Sequence, residues 1–310
     1  MTAPQNPYLF IVGCPRSGTT LLRRMLDAHP QIAMTRETHW IPKVYERGVG
    51  LTPDGRVTPE LLVHLLQDAH FQRMRVDLDR VRRAIASDAG LSYPRFVTLL
   101  FDLYGEQRDK PLVGDKTPGY TGKIAMLHAL WPATRFVHLI RDGRDVCLSL
   151  LEWRPERFAR RLPAWSSDPV SASAMFWAGR VRAAREAGRA LGPSLYREVR
   201  YESLVADPDG ECRALCRFLG VPEDDAMTRF AEGRTQSTPG LDSKKAWLPA
   251  TKGLRNWRSE MPPNDVERFE TAAGDLLEEL GYPTCGRRHS GGWASSPPRA
   301  SSRDDQPSRA

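Results

Sequence analysis

Long apolar runs are missing from this 310-residue chain: no stretch of about 18 apolar residues occurs, so no membrane-spanning helix is expected. The opening stretch MTAPQNPYLFIVG also lacks a basic leader, and its short apolar run leads straight into a glycine loop, which reads as a first strand and not as a secretory signal. Cysteine is scarce, odd in number and scattered, at Cys14, Cys147, Cys212, Cys216 and Cys285. That argues against a disulfide framework and places the protein in a reducing cytoplasm. Cys212 and Cys216 share a helix face, but two thiols without a second pair do not make a metal site. No internal repeat is present, and 40% hydrophobic with 27% charged residues excludes wholesale disorder. Neither charge sign dominates: the net charge is +7, and the stretch from Cys285 to Ala310 supplies +3 of it through five arginines and two aspartates. The modest excess left over suits anionic ligands and does not imply nucleic acid.

What the chain does contain is GCPRSGTT, Gly13 to Thr20. Gly13 and Gly18 have the spacing of a nucleotide-triphosphate loop, G-x-x-x-x-G-K-[ST], yet Thr19 stands where that loop needs lysine. A cation sits inside the loop instead, at Arg16. The context is strand, loop, helix: YLFIVG is a short buried strand, and TTLLRRMLDAHP places Leu21, Leu22, Met25 and Leu26 on one helical face before Pro30. Backbone N–H groups at a helix start, the hydroxyls of Ser17, Thr19 and Thr20, and the guanidinium of Arg16 together make an anion site. The absent lysine, and the absence of an evident acidic strand end for magnesium, serve a γ-phosphate badly.

Further along, three helical patterns (TPELLVHLLQDAH, DLDRVRRAIASDAG, SYPRFVTLLFDLYG) predict an α-helical insertion over 58–105, between the first two strands. PLVGDK is then a second strand, KIAMLHALW a helix, TRFVHLI a strand, RDGRDVCLSLLEW a turn into a helix, and SLYREVRY another strand. DPDGECRALCRFLGV is a helix with an aspartate start and Gly220 at its end, and a last helix runs roughly from Pro263 to Leu280. The expected fold is α/β: a three-layer P-loop-like fold with a central parallel sheet and the helical insertion, with ligands bound beyond the carboxyl ends of the strands. Residues 1–283 read as one domain, and the serine-, proline- and arginine-rich segment 284–310 as a disordered tail. A second candidate site lies in FVHLIRDGRDVCLSL, where Arg141 ends a strand and Ser149 comes about two helical turns on. An arginine and a serine so spaced can grip one phosphate.

PRSGTT, Arg141 with Ser149, GDKTP and RYESLVADP together resemble the sulfotransferases that use 3′-phosphoadenosine 5′-phosphosulfate (PAPS). The likeness is strongest to protein-tyrosine sulfotransferases across Gly13 to Pro42. The resemblance implies that Arg16 holds the sulfuryl group and its bridging oxygen, and that Ser17, Gly18, Thr19 and Thr20 bind the 5′-phosphate. It implies Glu37 as general base, Lys116 as the cation on the departing phosphate oxygen, and Arg141, Ser149 and Tyr201 as anchors of the 3′-phosphate and nucleotide. TKGLRNWRSEMPP resembles the late nucleotide-covering loop of the family, making Lys252, Arg255 and Trp257 candidates, with Ser237 and Ser243 competing for its companion serine. Where tyrosylprotein enzymes carry arginines that read acidic residues beside the target tyrosine, His39 and Lys43 stand here, as candidate substrate-binding residues. No metal is implied, because Arg16 and Lys116 supply the positive charge. The implied acceptor is a hydroxyl on a peptide tyrosine, phenol, sugar or lipid, and a homodimer stays open. Two other readings also stay open: a P-loop small-molecule kinase, and a non-enzymatic nucleotide- or nucleic-acid-binding protein.

Overall fold

The apolar run ahead of the glycine loop forms β1 (Leu9–Gly13), every residue of it buried. In the computed structural model, which describes residues 5–88, 90–153, 162–232 and 255–285, β1 is the middle strand of a five-stranded parallel sheet. The strands are β2 (Ile32–Met34), β3 (Leu112–Lys116), β4 (Arg135–Ile140) and β5 (Tyr196–Arg200), in the order β2-β3-β1-β4-β5. A strand buried on both faces needs apolar side chains at consecutive positions. Phe10 and Val12 accordingly pack on one side with Trp40, Phe101, Trp131 and Phe136, while Leu9 and Ile11 pack on the other with Leu22, Met25, Val137 and Leu215. A third apolar cluster joins Cys14, Ile140, Val146, Trp177 and Phe269 beside the ends of β1 and β4. Helices thus cover both faces of the sheet, which gives the three-layer α/β arrangement.

The helices that matter to the site are α1 (Thr19–Ala28) and α2 (Trp40–Arg47), then α3 (Pro59–Leu66), α4 (Ala69–Gln72), α5 (Leu78–Ser87) and α6 (Tyr93–Glu106) of the insertion. Next come α7 (Ile124–Leu130), α8 (Gly143–Glu152) and α9 (Pro169–Leu191). Asp68 breaks the pattern TPELLVHLLQDAH into two helices, because its carboxylate accepts the His70 and Phe71 backbone N–H groups at 2.7 and 3.1 Å and starts α4 afresh. The helix α9 is not among the helices expected from the sequence. Asp168 caps it, accepting from the Ser171 N–H at 3.1 Å, and Pro169 occupies its first turn. It packs against the helix Pro263–Glu279, with the Trp177 and Phe269 rings 5.9 Å apart.

One expectation about the sheet is corrected. The insertion lies between β2 and β3, because a strand at Ile32–Met34 precedes it. Three edge residues paired on one side only, Ile32 with Leu112 and Met34 with Gly114, are too few to show a strand period. Among the described residues no helix is long and apolar enough to cross a membrane. The segment 286–310, most of the expected tail, lies outside the described residues.

The strand register gathers the candidate residues at one end of the sheet. Ile11 is level with Lys116 and Gly13 with Leu139, so the loop after β1 lies between the end of β3 and the end of β4. Ile140 is level with Arg200, which brings Tyr201 beside the same edge.

Candidate active site

The loop after β1 turns sharply because two of its residues take left-handed backbones: Arg16 at φ 76° and Gly18 at φ 94°. Gly18 has a second reason to lack a side chain. A Cβ there would lie 2.5 Å from the Tyr201 ring, so Tyr201 packs directly beneath the loop. The helix α1 starts at Thr19 without any side-chain cap, leaving its first N–H groups directed to the loop. Ser17 is buried at 1% exposure, and its Oγ has no hydrogen-bond partner among the described residues. A buried hydroxyl without a partner is costly, and one that lines an anion loop is provided for by a ligand.

Arg16 donates from Nε to Ser149 Oγ at 2.9 Å, and its guanidinium lies 5.3 Å from the centre of the Trp153 ring. The two motifs separated in sequence are therefore one site. Arg141, at the end of β4, is buried; it reaches Asp145 Oδ2 at 3.3 Å and lies 4.4 Å from the Tyr201 ring centre. Its Nε has no partner among the described residues. Arg255 joins them from the other side, held by Glu152 and by Glu260 at 3.0 Å. Burial pushes the Arg16 pKa down, and the like charges of Arg141 and Arg255 push it further. Three guanidinium groups so placed form a field that attracts a multiply charged anion.

A carboxylate sits on the β3 side. Lys116, buried at the end of β3, donates from Nζ to Glu37 Oε1 at 2.6 Å, while His39 Nε2 meets Glu37 Oε2 at 2.8 Å. Burial alone would raise the Glu37 pKa, but the His39 and Lys116 contacts outweigh it and hold the carboxyl at about 2. Burial also pulls the Lys116 pKa down, and Glu37 offsets part of that. The turn carrying Glu37 is tied to β3 by threonines. Thr35 Oγ1 donates to Asp115 Oδ1 at 2.8 Å, the Thr38 N–H donates to Thr117 Oγ1 at 3.0 Å, and the Thr38 and Tyr120 hydroxyls are 2.8 Å apart. Asp115 is fully buried, its Oδ2 has no hydrogen-bond partner among the described residues, and burial pushes its carboxyl up to about 6 against the pull of Thr117, Thr35, Thr38 and Lys116. This threonine and aspartate scaffold was not among the residues expected from the sequence. Its signal was in GDKTP and in the Thr35-x-x-Thr38 spacing, each too short to be specific alone.

Beside Glu37 opens a cleft of about 200 Å³, lined by His39, Pro42, Lys43, Glu46, Gly119, Tyr120 and Lys123. His39 and Lys43, the candidate acceptor residues, are thus brought to one cavity. The insertion reaches it too: the His70 ring stands edge-on to His39 at 4.7 Å. Trp257, a candidate for nucleotide contact, packs against two arginines. It is 7% exposed, with the Arg144 and Arg258 guanidinium groups 3.6 and 4.6 Å from its ring centre. Its backbone N–H donates to Asp145 at 2.9 Å, so Trp257 braces the carboxylate that holds Arg141. Lys252, Ser237 and Ser243 lie outside the described residues. Among the described residues no three His, Cys, Asp or Glu side chains are grouped to hold a metal ion.

A parallel α/β sheet whose central strand ends in a glycine loop, flanked by two buried strand-end cations, defines a P-loop-like fold with a site suited to anionic groups. The chain belongs to the sulfotransferase family, whose model matches residues 7–225. It is 23% identical to protein-tyrosine sulfotransferase A of Caenorhabditis elegans, over 89% of this chain and 67% of that protein. It is 26% identical to the protein-tyrosine sulfotransferase of Drosophila melanogaster, over 90% of this chain and 52% of that one, so it spans about half of the insect protein. Nodulation protein NoeE of Sinorhizobium fredii is 27% identical over 90% of this chain and 67% of its own length. Among solved structures, the sulfotransferase domain of the curacin biosynthetic pathway shares the fold with a TM-score of 0.59 at 20% identity, covering 89% of this chain and 98% of that domain. Family membership sets aside the kinase and nucleic-acid readings that the sequence left open.

Proposed function

We propose that the protein transfers the sulfuryl group of 3′-phosphoadenosine 5′-phosphosulfate to an acceptor hydroxyl. The observation that carries this reading is the convergence of Arg16, Arg141 and Arg255, with Ser17 Oγ and Arg141 Nε buried and without a hydrogen-bond partner among the described residues. A nucleotide with a 5′-phosphosulfate and a 3′-phosphate presents two anionic ends to such a site. In this reading Ser17, Gly18, Thr19 and Thr20 take the 5′-phosphate, and Arg16 takes the sulfuryl group and the bridging oxygen. Arg141, Ser149 and Tyr201 take the 3′-phosphate, with Arg255 closing over it.

The acceptor oxygen forms a bond to sulfur as the bond from sulfur to the phosphate oxygen breaks, and that oxygen keeps the electron pair. Stabilising the leaving oxygen is then the main catalytic task, which Lys116 and Arg16 perform. Glu37 is the base that draws off the acceptor's proton. Lys116 serves both ends: as it turns from Glu37 to the leaving oxygen, it frees the carboxylate to accept charge from the acceptor side. The names of the relatives, together with the cleft at His39 and Lys43, favour a phenolic hydroxyl such as tyrosine.

The test is a binding comparison by calorimetry. Adenosine 3′,5′-bisphosphate, the product left after transfer, is expected to bind more tightly than ADP or ATP without magnesium. Arg141→Ala should weaken it by roughly 10- to 100-fold, the worth of one to two hydrogen bonds to a charged group. Equal binding of all three nucleotides, or a magnesium-dependent preference for ATP, overturns the reading.

A further inference from the structure

The peptide group that joins Arg141 to Asp142 is held at both ends. Its carbonyl accepts from Trp177 Nε1 at 3.1 Å, and its N–H donates to Glu202 Oε1 at 2.9 Å. The residue before Glu202 is Tyr201, whose ring lies beneath Gly18 and beside the Arg141 guanidinium. Glu202 therefore ties the turn after β4 to the turn after β5. Its other oxygen, Oε2, accepts from the Tyr282 hydroxyl at 3.0 Å. We propose that Tyr282 is a positioning residue for the nucleotide site: acting through Glu202, it holds Arg141 and Tyr201 where a 3′-phosphate is bound. The proposal rests on the sulfotransfer reading and adds to it a segment that touches no ligand.

Local sequence brings Tyr282 there. The helix Pro263–Glu279 ends at Leu280, and Gly281 takes a left-handed backbone, φ 74°, which glycine adopts without strain. The Gly281 and Tyr282 N–H groups donate back to the Glu278 and Leu277 carbonyls, both at 2.8 Å, the Schellman pattern that sends the chain off the helix in a fixed direction. From there the segment Tyr282–Cys285 is strapped across the strand ends. The Arg200 guanidinium, at the end of β5, lies 4.7 Å from the Tyr282 ring centre and also donates to the Leu280 carbonyl. The Pro283 carbonyl accepts from Arg144 Nη1 at 2.8 Å, and the Cys285 N–H donates to Glu270 Oε2 at 2.8 Å. Arg144 stands in the first turn of α8, where the Asp142 carboxylate accepts from its backbone N–H and its Nε, each at 3.0 Å.

A bond from a hydroxyl to a carboxylate is among the stronger hydrogen bonds, and it fixes the direction of the carboxylate. Burial, and then the charge of Glu202, push the Tyr282 pKa above its usual value, so the hydroxyl keeps its proton and donates. Without that bond Glu202 is free to turn away from the Asp142 N–H, and the buried Asp142 backbone loses its acceptor. The Arg141 side chain then has more than one orientation open to it. Binding of the 3′-phosphate must select one of them, which weakens the observed affinity in proportion to the competent fraction.

The test uses the full chain and two probes, adenosine 3′,5′-bisphosphate and ADP, which lacks the 3′-phosphate. Affinities are read by calorimetry, and turnover with PAPS as donor and 4-nitrophenol as acceptor; the binding comparison does not depend on the acceptor. Tyr282→Phe keeps the ring beside Arg200 and removes only the hydroxyl. It is expected to weaken the bisphosphate about fivefold and to raise KM for PAPS by the same factor, with kcat and ADP affinity within about twofold of wild type. Glu202→Ala, which removes both bonds, should weaken the bisphosphate about tenfold. Adding Tyr282→Phe to it should change affinity by less than about twofold, because the hydroxyl then has nothing to act through. A residue that served packing alone would lower the thermal unfolding temperature of Tyr282→Phe and leave the preference for the bisphosphate over ADP unchanged. That result, or losses that simply add in the double variant, overturns the proposal and leaves sulfotransfer standing. A wild type that binds ADP as tightly as the bisphosphate overturns sulfotransfer and the proposal with it.

Discussion

Asp115 offers the sharpest test of how the site is held. It is fully buried under the turn that carries Glu37, with one oxygen bonded to Thr35 and the other without a hydrogen-bond partner among the described residues. Burial raises its pKa from 3.8 to about 6. A carboxyl raised in the folded state contributes stability that is fully present below its unfolded pKa and is lost as the pH rises through the folded one. About two pKa units correspond to roughly 3 kcal/mol, lost between pH 4 and pH 7. The perturbation is Asp115→Asn, which keeps the shape and removes the titration. His138, buried and held at about 3 by burial and by Arg185 and Arg200, pulls the other way, losing stability as the pH falls below about 6.5. It does so equally in both proteins, so the difference between them isolates Asp115. In urea unfolding at several pH values from 4.5 to 7.5, the variant should gain on the wild type by roughly 2 kcal/mol as the pH rises. Parallel stability curves would refute the reasoning, because they would mean that Asp115 is no harder to ionise in the folded chain than in the unfolded one.

The same geometry makes three further outcomes testable. Gly18→Ala places a methyl group 2.5 Å from the Tyr201 ring on a left-handed backbone, so calorimetry should show affinity for adenosine 3′,5′-bisphosphate reduced at least tenfold. Glu37→Gln should lower turnover about 100-fold with bisphosphate affinity nearly unchanged, and intact turnover in a steady-state assay would send the proton elsewhere. Arg144 has 0% exposure and bonds Asp142, Glu270 and the Pro283 carbonyl, so Arg144→Leu leaves two carboxylates without their cation. That change should cost about 3–5 kcal/mol, read as a fall in thermal unfolding temperature.

The anion loop was legible because its message is local: two glycines, a helix start and an arginine are contiguous in GCPRSGTT. Strands such as Arg135–Ile140 were legible because double-sided burial demands a mostly apolar run, here interrupted within Phe136–Ile140 only by His138. What depends on contacts between distant segments was not. The pairing of Arg16 with Ser149, the packing of Tyr201 under Gly18 and the tie from Thr35 to Asp115 join segments that no periodicity connects. Nor does the basic stretch around Trp257 reveal that the Arg144 and Arg258 guanidinium groups lie 3.6 and 4.6 Å from its ring centre. The edge strand Ile32–Met34 escaped because half of its pairing potential is unused and its length falls below one clear alternation.

The order β2-β3-β1-β4-β5 also has a kinetic consequence. Arg16, Lys116, Arg141 and Tyr201 stand at the ends of four different strands, and the last of these strands to be synthesised supplies the ring beneath the first loop. Contacts that span so much chain are closed late, since loop closure precedes the energy it releases. The anion site therefore cannot preassemble in an N-terminal fragment, however complete the loop motif is. A chain released short of β5 would carry every residue of GCPRSGTT and still have nothing under Gly18 to hold its shape, so nucleotide binding would report the arrival of the final strand.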